Sequence, residues 1–101
     1  MDDPDAPNGD WFHWIVLNIP TTTQEIAENS VPEGSIEALT SFGKPGYGAP
    51  CPPSGAHRYR FTLYAVDAVL ALDGSTQPQE AVQALNGHVL GVSQLVGRYQ
   101  K

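Results

Sequence analysis

The sequence predicts a single, mostly β domain spanning residues 1–101, with one or two short helices towards its C-terminal end. Two runs rich in β-branched and aromatic residues indicate strands, and a segment rich in proline and glycine lies between them. A helix-start pattern follows the second run. The hydrophobic fraction of 41% and the charged fraction of 16% are typical of a folded protein, although 101 residues leave room for only a small core.

The N-terminal part is predicted to form a loop, a strand and a polar connection. Two prolines make residues 1–10 irregular, because each removes a backbone donor and extends the residue before it. The run "WFHWIVLNI" at residues 11–19 has no helical period and predicts one buried strand. Residues 21–40 are polar, and "EIAEN" and "IEAL" are the two candidate positions there for a short turn of helix.

The rest of the chain is predicted to contain a long loop, a strand and a helix. Residues 41–57, "SFGKPGYGAPCPPSGAH", hold four glycines and four prolines, too many for regular structure. The following "RYRFTLYAV" alternates well enough for a strand through Val66. Ser75 or Thr76 is the expected cap of a helix from about Gln77 to Leu85. The final "HVLGVSQLVGRYQ" fits either a short helix or an extended segment.

Charge and cysteine content exclude several classes of function. The net charge is −6 and the basic residues are scattered, so nucleic acid is not an expected partner. The single cysteine, Cys51, excludes an internal disulfide and a cysteine-rich metal site, and its surroundings predict a partly buried structural thiol. No apolar run reaches the length of a spanning helix, and the N-terminus is acidic where a signal peptide is basic, so we expect a cytoplasmic protein.

Two histidines stand among aromatic residues and loops in a way that favours a binding site. His13 lies in "WFHW", and His57 ends the long loop in "PPSGAHRY". Either histidine alone is more often a structural group than a ligand. Two imidazoles together with a tyrosine phenol, however, offer the several short-range donors that a small oxyanion requires. His88 lies in the C-terminal segment, where we expect a structural role.

Four motifs along the chain resemble one protein family. They are "DPDAP", "HWIVLNIP", "FGKPGYGAPCPPSGAHRYRFTLYAVD" and "GHVLGVSQLVGRYQ", they occur in the family's order, and they cover nearly the whole chain. On these motifs the chain resembles the phosphatidylethanolamine-binding proteins, specifically their bacterial and archaeal branch of Raf-kinase-inhibitor-like proteins. The resemblance implies a large antiparallel sheet with a small cavity that takes phosphate-like anions and phospholipid head groups.

The resemblance also assigns residues to that cavity. The family's ligand-binding aspartate, two histidines and tyrosine correspond here to Asp3, His13, His57 and Tyr59, and the expected walls are Asp5, Trp11, Pro53 and Gly55. An aspartate beside imidazoles fixes their tautomer and favours their charged form. Asp3 is therefore predicted to orient a histidine rather than to contact the anion.

We therefore expect a protein that binds a small anion or a phosphorylated head group resembling that of phosphatidylethanolamine. Two alternatives stay open: an inhibitor of a kinase or protease that acts through the rim of the pocket, and a domain with a vestigial pocket. No enzymatic activity, cofactor or metal is expected. No serine or cysteine has an evident base beside it, and no third histidine lies at ligand spacing.

The chain departs from the family at its start. Relatives usually carry strands of the same sheet before "DPDAP", whereas this sequence begins at that loop, so the strand at residues 11–19 is expected to lack neighbours. Either a second copy supplies the missing surface or the sequence is a fragment of a longer protein. On the first alternative we expect a homodimer that buries at least about 1,200 Å² in total.

Overall fold

The computed structural model describes residues 1–100, which form an antiparallel β structure with one short helix. A four-stranded sheet has the order β2-β1-β5-β6, and a second sheet pairs β3 with β4. The predicted mostly β class is confirmed, with one of the expected C-terminal helices. The elements in chain order are β1 (Asp2–Asp3), β2 (Trp11–Phe12), β3 (Val16–Leu17), β4 (Ile36–Glu37), β5 (Ala56–Val66), α1 (Pro78–Ala84) and β6 (Val89–Gln100).

A long hairpin of β5 and β6 dominates the larger sheet. The two strands pair from Ala56 opposite Gln100 to Val66 opposite Val89, with one irregularity near the far end. The final segment, for which helix and strand were both open, is therefore a strand. It pairs with β5 along nearly its whole length and forms one edge of the sheet, which the local sequence pattern could not reveal.

The predicted single strand at residues 11–19 is wrong. The chain bends after β2, where the backbone N–H groups of His13 and Trp14 both donate to the carbonyl of Met1. The Trp14 indole N–H then donates to a carboxylate oxygen of Glu37 at 2.7 Å. As a result β2 pairs with β1, while β3 pairs with β4 in the other sheet, so both pieces have neighbours. The same pairing makes "IE" of the candidate "IEAL" helix a strand, and residues 21–40 contain no helix.

The buried core is small and lies between the second sheet and α1. Leu17, Ala38 and Ala81 form it, and Ile36 and Leu72 pack against them. Helix α1 begins as predicted at a proline in its first turn.

The cap of α1 differs from the prediction. It is Gln77, whose backbone N–H donates to the Glu80 carboxylate at 2.9 Å. The predicted caps are engaged elsewhere, since the Ser75 hydroxyl donates to Asp73 and the Thr76 hydroxyl accepts from the Asp73 N–H.

Strand β6 covers no core. All of its residues are exposed, including Leu90, Val92, Leu95 and Tyr99 with 52 to 72% of their surface open. Six large apolar side chains of β6 are therefore exposed, whereas in the run at residues 11–19 only Trp11 is. No helix formed by residues 1–100 is long and apolar enough to cross a membrane.

Candidate functional site

A cavity of about 220 Å³ opens where β1, β2, the start of β5 and the long loop meet. All four predicted ligand residues line it, as do two of the four predicted wall residues; the full lining is Asp3, Ala6, Pro7, Trp11, His13, Phe42, Cys51, Pro53, His57 and Tyr59. A wider depression of about 430 Å³ is formed by residues 22–33 alone, an exposed loop that holds none of these side chains. We therefore place the candidate site in the smaller cavity.

Asp3 and His57 form a buried pair on one side of the cavity. Strand β1 holds Asp3 beside β5, and the two side chains are 5% and 10% exposed. The Nδ1 atom of His57 lies 2.7 Å from Oδ2 of Asp3, while Oδ1 accepts the backbone N–H of Asp5 at 2.9 Å. Because an ionised carboxylate only accepts hydrogen bonds, Nδ1 of His57 carries the proton. Asp3 thus fixes the tautomer of His57 and has both of its oxygens engaged.

His13 is fixed in the same way by a backbone carbonyl. Its Nδ1 atom lies 2.8 Å from the carbonyl oxygen of Gly48, and the Gly48 N–H donates back to the His13 carbonyl at 2.8 Å. A carbonyl oxygen cannot donate, so Nδ1 of His13 is also protonated. The long loop therefore sets the ring of His13 as β1 sets the ring of His57.

Tyr59 lies between the two histidines and is 3% exposed. The His13 ring meets it edge-on at 5.3 Å, and the His57 ring stacks beside it at 6.5 Å. Among residues 1–100, its hydroxyl is the one buried side-chain polar atom that has no hydrogen-bond partner. Burial raises the pKa of the phenol, and the negative charge of Asp3 adds to the shift, so the hydroxyl keeps its proton at neutral pH.

Phe42 forms an aromatic wall that the sequence analysis missed. Its ring contacts Trp11 and His13 edge-on, with centroid distances of 5.5 and 5.2 Å. The neighbouring Ser41 ties this wall to β2, since it accepts the Phe12 N–H and donates its own N–H to the Phe12 carbonyl. A side chain on Gly48 would overlap the Phe42 ring, which explains a glycine at that position of the loop. The proline and glycine content of the loop was the available signal, but it does not show which residue faces the cavity.

The predicted walls Asp5 and Gly55 do not line the cavity. Asp5 instead forms a bidentate ion pair with Arg58, whose Nε and Nη2 atoms lie 3.0 and 2.8 Å from the carboxylate oxygens. Hydrogen bonds from the Arg58 side chain and backbone hold the pKa of Asp5 well below its ordinary value. Gly55 is exposed in the loop before β5, where its φ of 65° suits a glycine.

Cys51 also departs from its prediction. The expected partly buried structural thiol is an exposed residue at the edge of the cavity. His88, by contrast, lies far from the cavity at the start of β6 and bonds Asp67 at 2.7 Å. Residues 1–100 contain no group of three histidine, cysteine, aspartate or glutamate side chains that could hold a metal ion.

The sequence matches a known family over the whole described chain. The family described as phosphatidylethanolamine-binding protein matches residues 1–100. The chain belongs to this family. Its resemblance in four motifs is thereby confirmed, and the solved structures agree. The Chlamydia trachomatis protein CT736, described as a phosphatidylethanolamine-binding protein homologue, superposes with a TM-score of 0.91 at 35% identity, covering 99% of this chain and 68% of CT736.

Further relatives of this chain come from bacteria and archaea. Escherichia coli YbcL, described as a member of the mammalian phosphatidylethanolamine-binding protein family, has a TM-score of 0.89 at 28% identity over 99% of this chain and 68% of YbcL. A "UPF0098 protein" of Methanothermobacter thermautotrophicus is 44% identical over 99% of this chain and 70% of that protein. One from Archaeoglobus fulgidus is 42% identical over 99% of this chain, but this chain spans only 36% of its length.

Proposed function

We propose that the cavity binds a small phosphate-like anion or a phosphorylated head group. The observation that carries the proposal is the buried Tyr59 hydroxyl, which points to a ligand because it finds no partner among residues 1–100. Leaving a buried hydroxyl unpaired costs about 1–3 kcal/mol, and an oxygen of a bound anion would remove that penalty. His13 and His57 flank the ring of Tyr59 and would supply the remaining contacts to the anion.

The size of the cavity supports a small ligand. Its volume of about 220 Å³ lies below the roughly 300–1,000 Å³ of pockets for drug-sized molecules. One tetrahedral phosphoryl group with a short substituent is therefore a better match than a whole lipid. The aromatic walls Trp11 and Phe42 are 40% and 44% exposed, so the mouth is open to solvent.

The test compares Tyr59→Phe with Tyr64→Phe in thermal unfolding, with and without inorganic phosphate at pH 6. A ligand that binds only the folded protein stabilises it by about 2.7 kcal/mol at one hundred times its Kd. We expect phosphate to raise the Tm of the wild-type protein and of Tyr64→Phe, whose hydroxyl lies on an exposed residue. Tyr59→Phe should unfold no earlier than wild type without phosphate and should bind phosphate about tenfold more weakly. An equal phosphate effect in both variants would contradict the proposal.

A second probe distinguishes a lipid head group from a free anion as the ligand. Phosphoethanolamine carries the phosphoryl group of a lipid head, whereas inorganic phosphate carries the phosphoryl group alone. A lower Kd for phosphoethanolamine would favour a head group as the ligand, and equal Kd values would favour a free anion.

The alternative function is inhibition of a kinase or protease through the rim of the pocket. The half-exposed aromatic pair Trp11 and Phe42 supports it, because exposed aromatic residues are frequent at protein interfaces. On that alternative, Phe42→Ala would abolish inhibition of a tested kinase or protease, while Tyr59→Phe would leave it intact. Phosphate binding with no inhibition would favour the first function.

A further inference from the structure

The two histidines of the cavity are held in the same tautomer. In both rings Nδ1 is the protonated nitrogen, because its partner is a carbonyl oxygen in His13 and a carboxylate in His57. Within residues 1–100, neither Nε2 atom makes a hydrogen bond. A neutral imidazole has only one N–H, so each Nε2 atom presents a lone pair. The neutral rings are acceptors towards a ligand and not donors.

The charges around the cavity also disfavour an anion while the imidazoles are neutral. No lysine or arginine is among its lining residues, whereas the carboxylate of Asp3 is. The two arginines of β5 are already paired, Arg58 with Asp5 and Arg60 with Asp2 and Asp10. With neutral imidazoles the lining therefore carries one negative charge and one free donor, the Tyr59 hydroxyl. Such a site repels a fully ionised anion.

We infer that the cavity takes up protons when it binds its anion, and that it is an anion site only while at least one of its two imidazoles is protonated at Nε2. This inference rests on the proposed function and adds its regulation by pH. Protonation turns each Nε2 atom from an acceptor into a charged donor and offsets the charge of Asp3. Occupied and empty states then differ by one or two protons, and low pH opens the site to fully ionised anions.

The groups that face the two rings are few. His57 faces Asp3 from β1, Tyr59 from its own strand and Cys51 from the loop, with the Asp5–Arg58 ion pair beside it. His13 faces Tyr59 and the uncharged ring of Phe42. Of these groups, only the imidazoles have an ordinary pKa between 5 and 8. Uptake of protons in that range is therefore assigned to the rings.

Sulfate is the appropriate probe, because it has no proton of its own to release or accept near neutral pH. Calorimetric titrations at pH 6, 7 and 8, each in two buffers of different ionisation enthalpy, measure both affinity and proton uptake. We expect at least one proton per sulfate at pH 8 and an affinity that falls at least about tenfold between pH 7 and pH 8. Sulfate binding with the same affinity at pH 6 and pH 8, and with no proton uptake, would overturn the inference.

Glutamine variants test the assignment to particular rings. A glutamine amide donates a hydrogen bond without first gaining a proton, so His57→Gln and His13→Gln should each lower the proton uptake by about one at most, and together abolish it. His88→Gln is the matched control, since it removes the third imidazole at the far end of the hairpin. Unchanged uptake in the double variant would overturn the assignment to the two rings. Tyr59→Phe supplies a reference with both imidazoles present, weaker binding and unchanged uptake.

Failure of this inference is distinguishable from failure of the proposed function. Absence of both phosphate and sulfate binding at pH 6 would remove the proposed function itself. Binding of ethylammonium at pH 8 without any anion binding at pH 6 would show a cation site made of lone pairs, a carboxylate and aromatic walls. Anion binding at pH 6 that persists unchanged at pH 8 would leave the function and remove only the proton coupling.

Discussion

The two strands of the long hairpin pair with each other but have opposite surroundings. The first residues of β5 include the buried side chains of His57 and Tyr59, whereas every residue of β6 is exposed. The difference arises outside the hairpin, because β1, β2 and the long loop cover the start of β5 and leave β6 uncovered. Strand pairing therefore forms the sheet, whereas β1, β2 and the long loop form the cavity at the start of β5.

The largest expected contrast is between Asp3, which β1 holds against the start of β5, and an exposed side chain of β6. Asp3→Ala removes the acceptor of the buried His57 Nδ1 proton and of the Asp5 N–H. Losing charged hydrogen bonds and leaving a buried donor unpaired should lower the free energy of unfolding by about 2–4 kcal/mol. Leu95→Ala, on the 70% exposed side chain of β6, should change it by less than about 0.5 kcal/mol.

Urea denaturation followed by tryptophan fluorescence measures both variants. Asp3→Asn is the useful third protein, because its amide oxygen keeps one acceptor, and its loss should fall between the other two. Comparable losses of unfolding free energy for Asp3→Ala and Leu95→Ala would show that β6 is covered in solution, contrary to the expected difference between the two strands.

Two glycines, one beside the cavity and one on β6, are expected to respond differently to substitution by alanine. A Cβ on Gly48 would overlap the Phe42 ring, whereas a Cβ on Gly97, opposite Tyr59 on β6, would have no atom within 4 Å. Gly48→Ala should lower the free energy of unfolding by about 1–3 kcal/mol and weaken phosphate binding, because the wall and the carbonyl that orients His13 are displaced. Gly97→Ala should be neutral or stabilising by about 0.4–1 kcal/mol, since it restricts the unfolded chain.

The double variant Gly48→Ala with Phe42→Ala checks the cause of that effect. Removing the ring removes the overlap, so the double variant should regain part of the stability lost by Gly48→Ala alone. If the two losses simply add, the overlap with Phe42 is not the reason for the glycine.

The sequence could predict the elements whose signals are local. The alternation in β5 and the proline at the start of α1 appear in the structure. The long loop does too, although it ends at Gly55, because Ala56 and His57 already belong to β5. The family motifs also named four residues that line one cavity. Their role in binding stays a prediction, as does the expected homodimer, because the protein chain alone shows neither a ligand nor a partner.

The remaining features could not be predicted because they depend on contacts between distant segments. The break between β2 and β3 follows from bonds of Trp14 to Glu37 and to the first residue. The strand state of β6 follows from its pairing with β5. The protonated nitrogen of His13 depends on the carbonyl of Gly48, which is 35 positions away in the chain. Pattern reasoning identifies the titratable residues of the cavity, but only the fold shows which nitrogen of each ring is already bound by the protein.

The smallest expected contrast concerns two arginines that lie opposite each other in the hairpin, Arg58 on β5 and Arg98 on β6. Arg58 lowers the pKa of Asp5, so their interaction stabilises the folded protein above the ordinary carboxyl pKa and is lost progressively as the pH falls below about 5. Within residues 1–100, Arg98 has no acidic partner within ion-pair distance. Arg58→Met should therefore make the fall in urea midpoint between pH 5 and pH 2.5 shallower, whereas Arg98→Met, which removes the same charge, should leave it as in wild type. Equal slopes in the two variants would show that the ion pair at the surface of β5 contributes nothing measurable, as is common for exposed pairs.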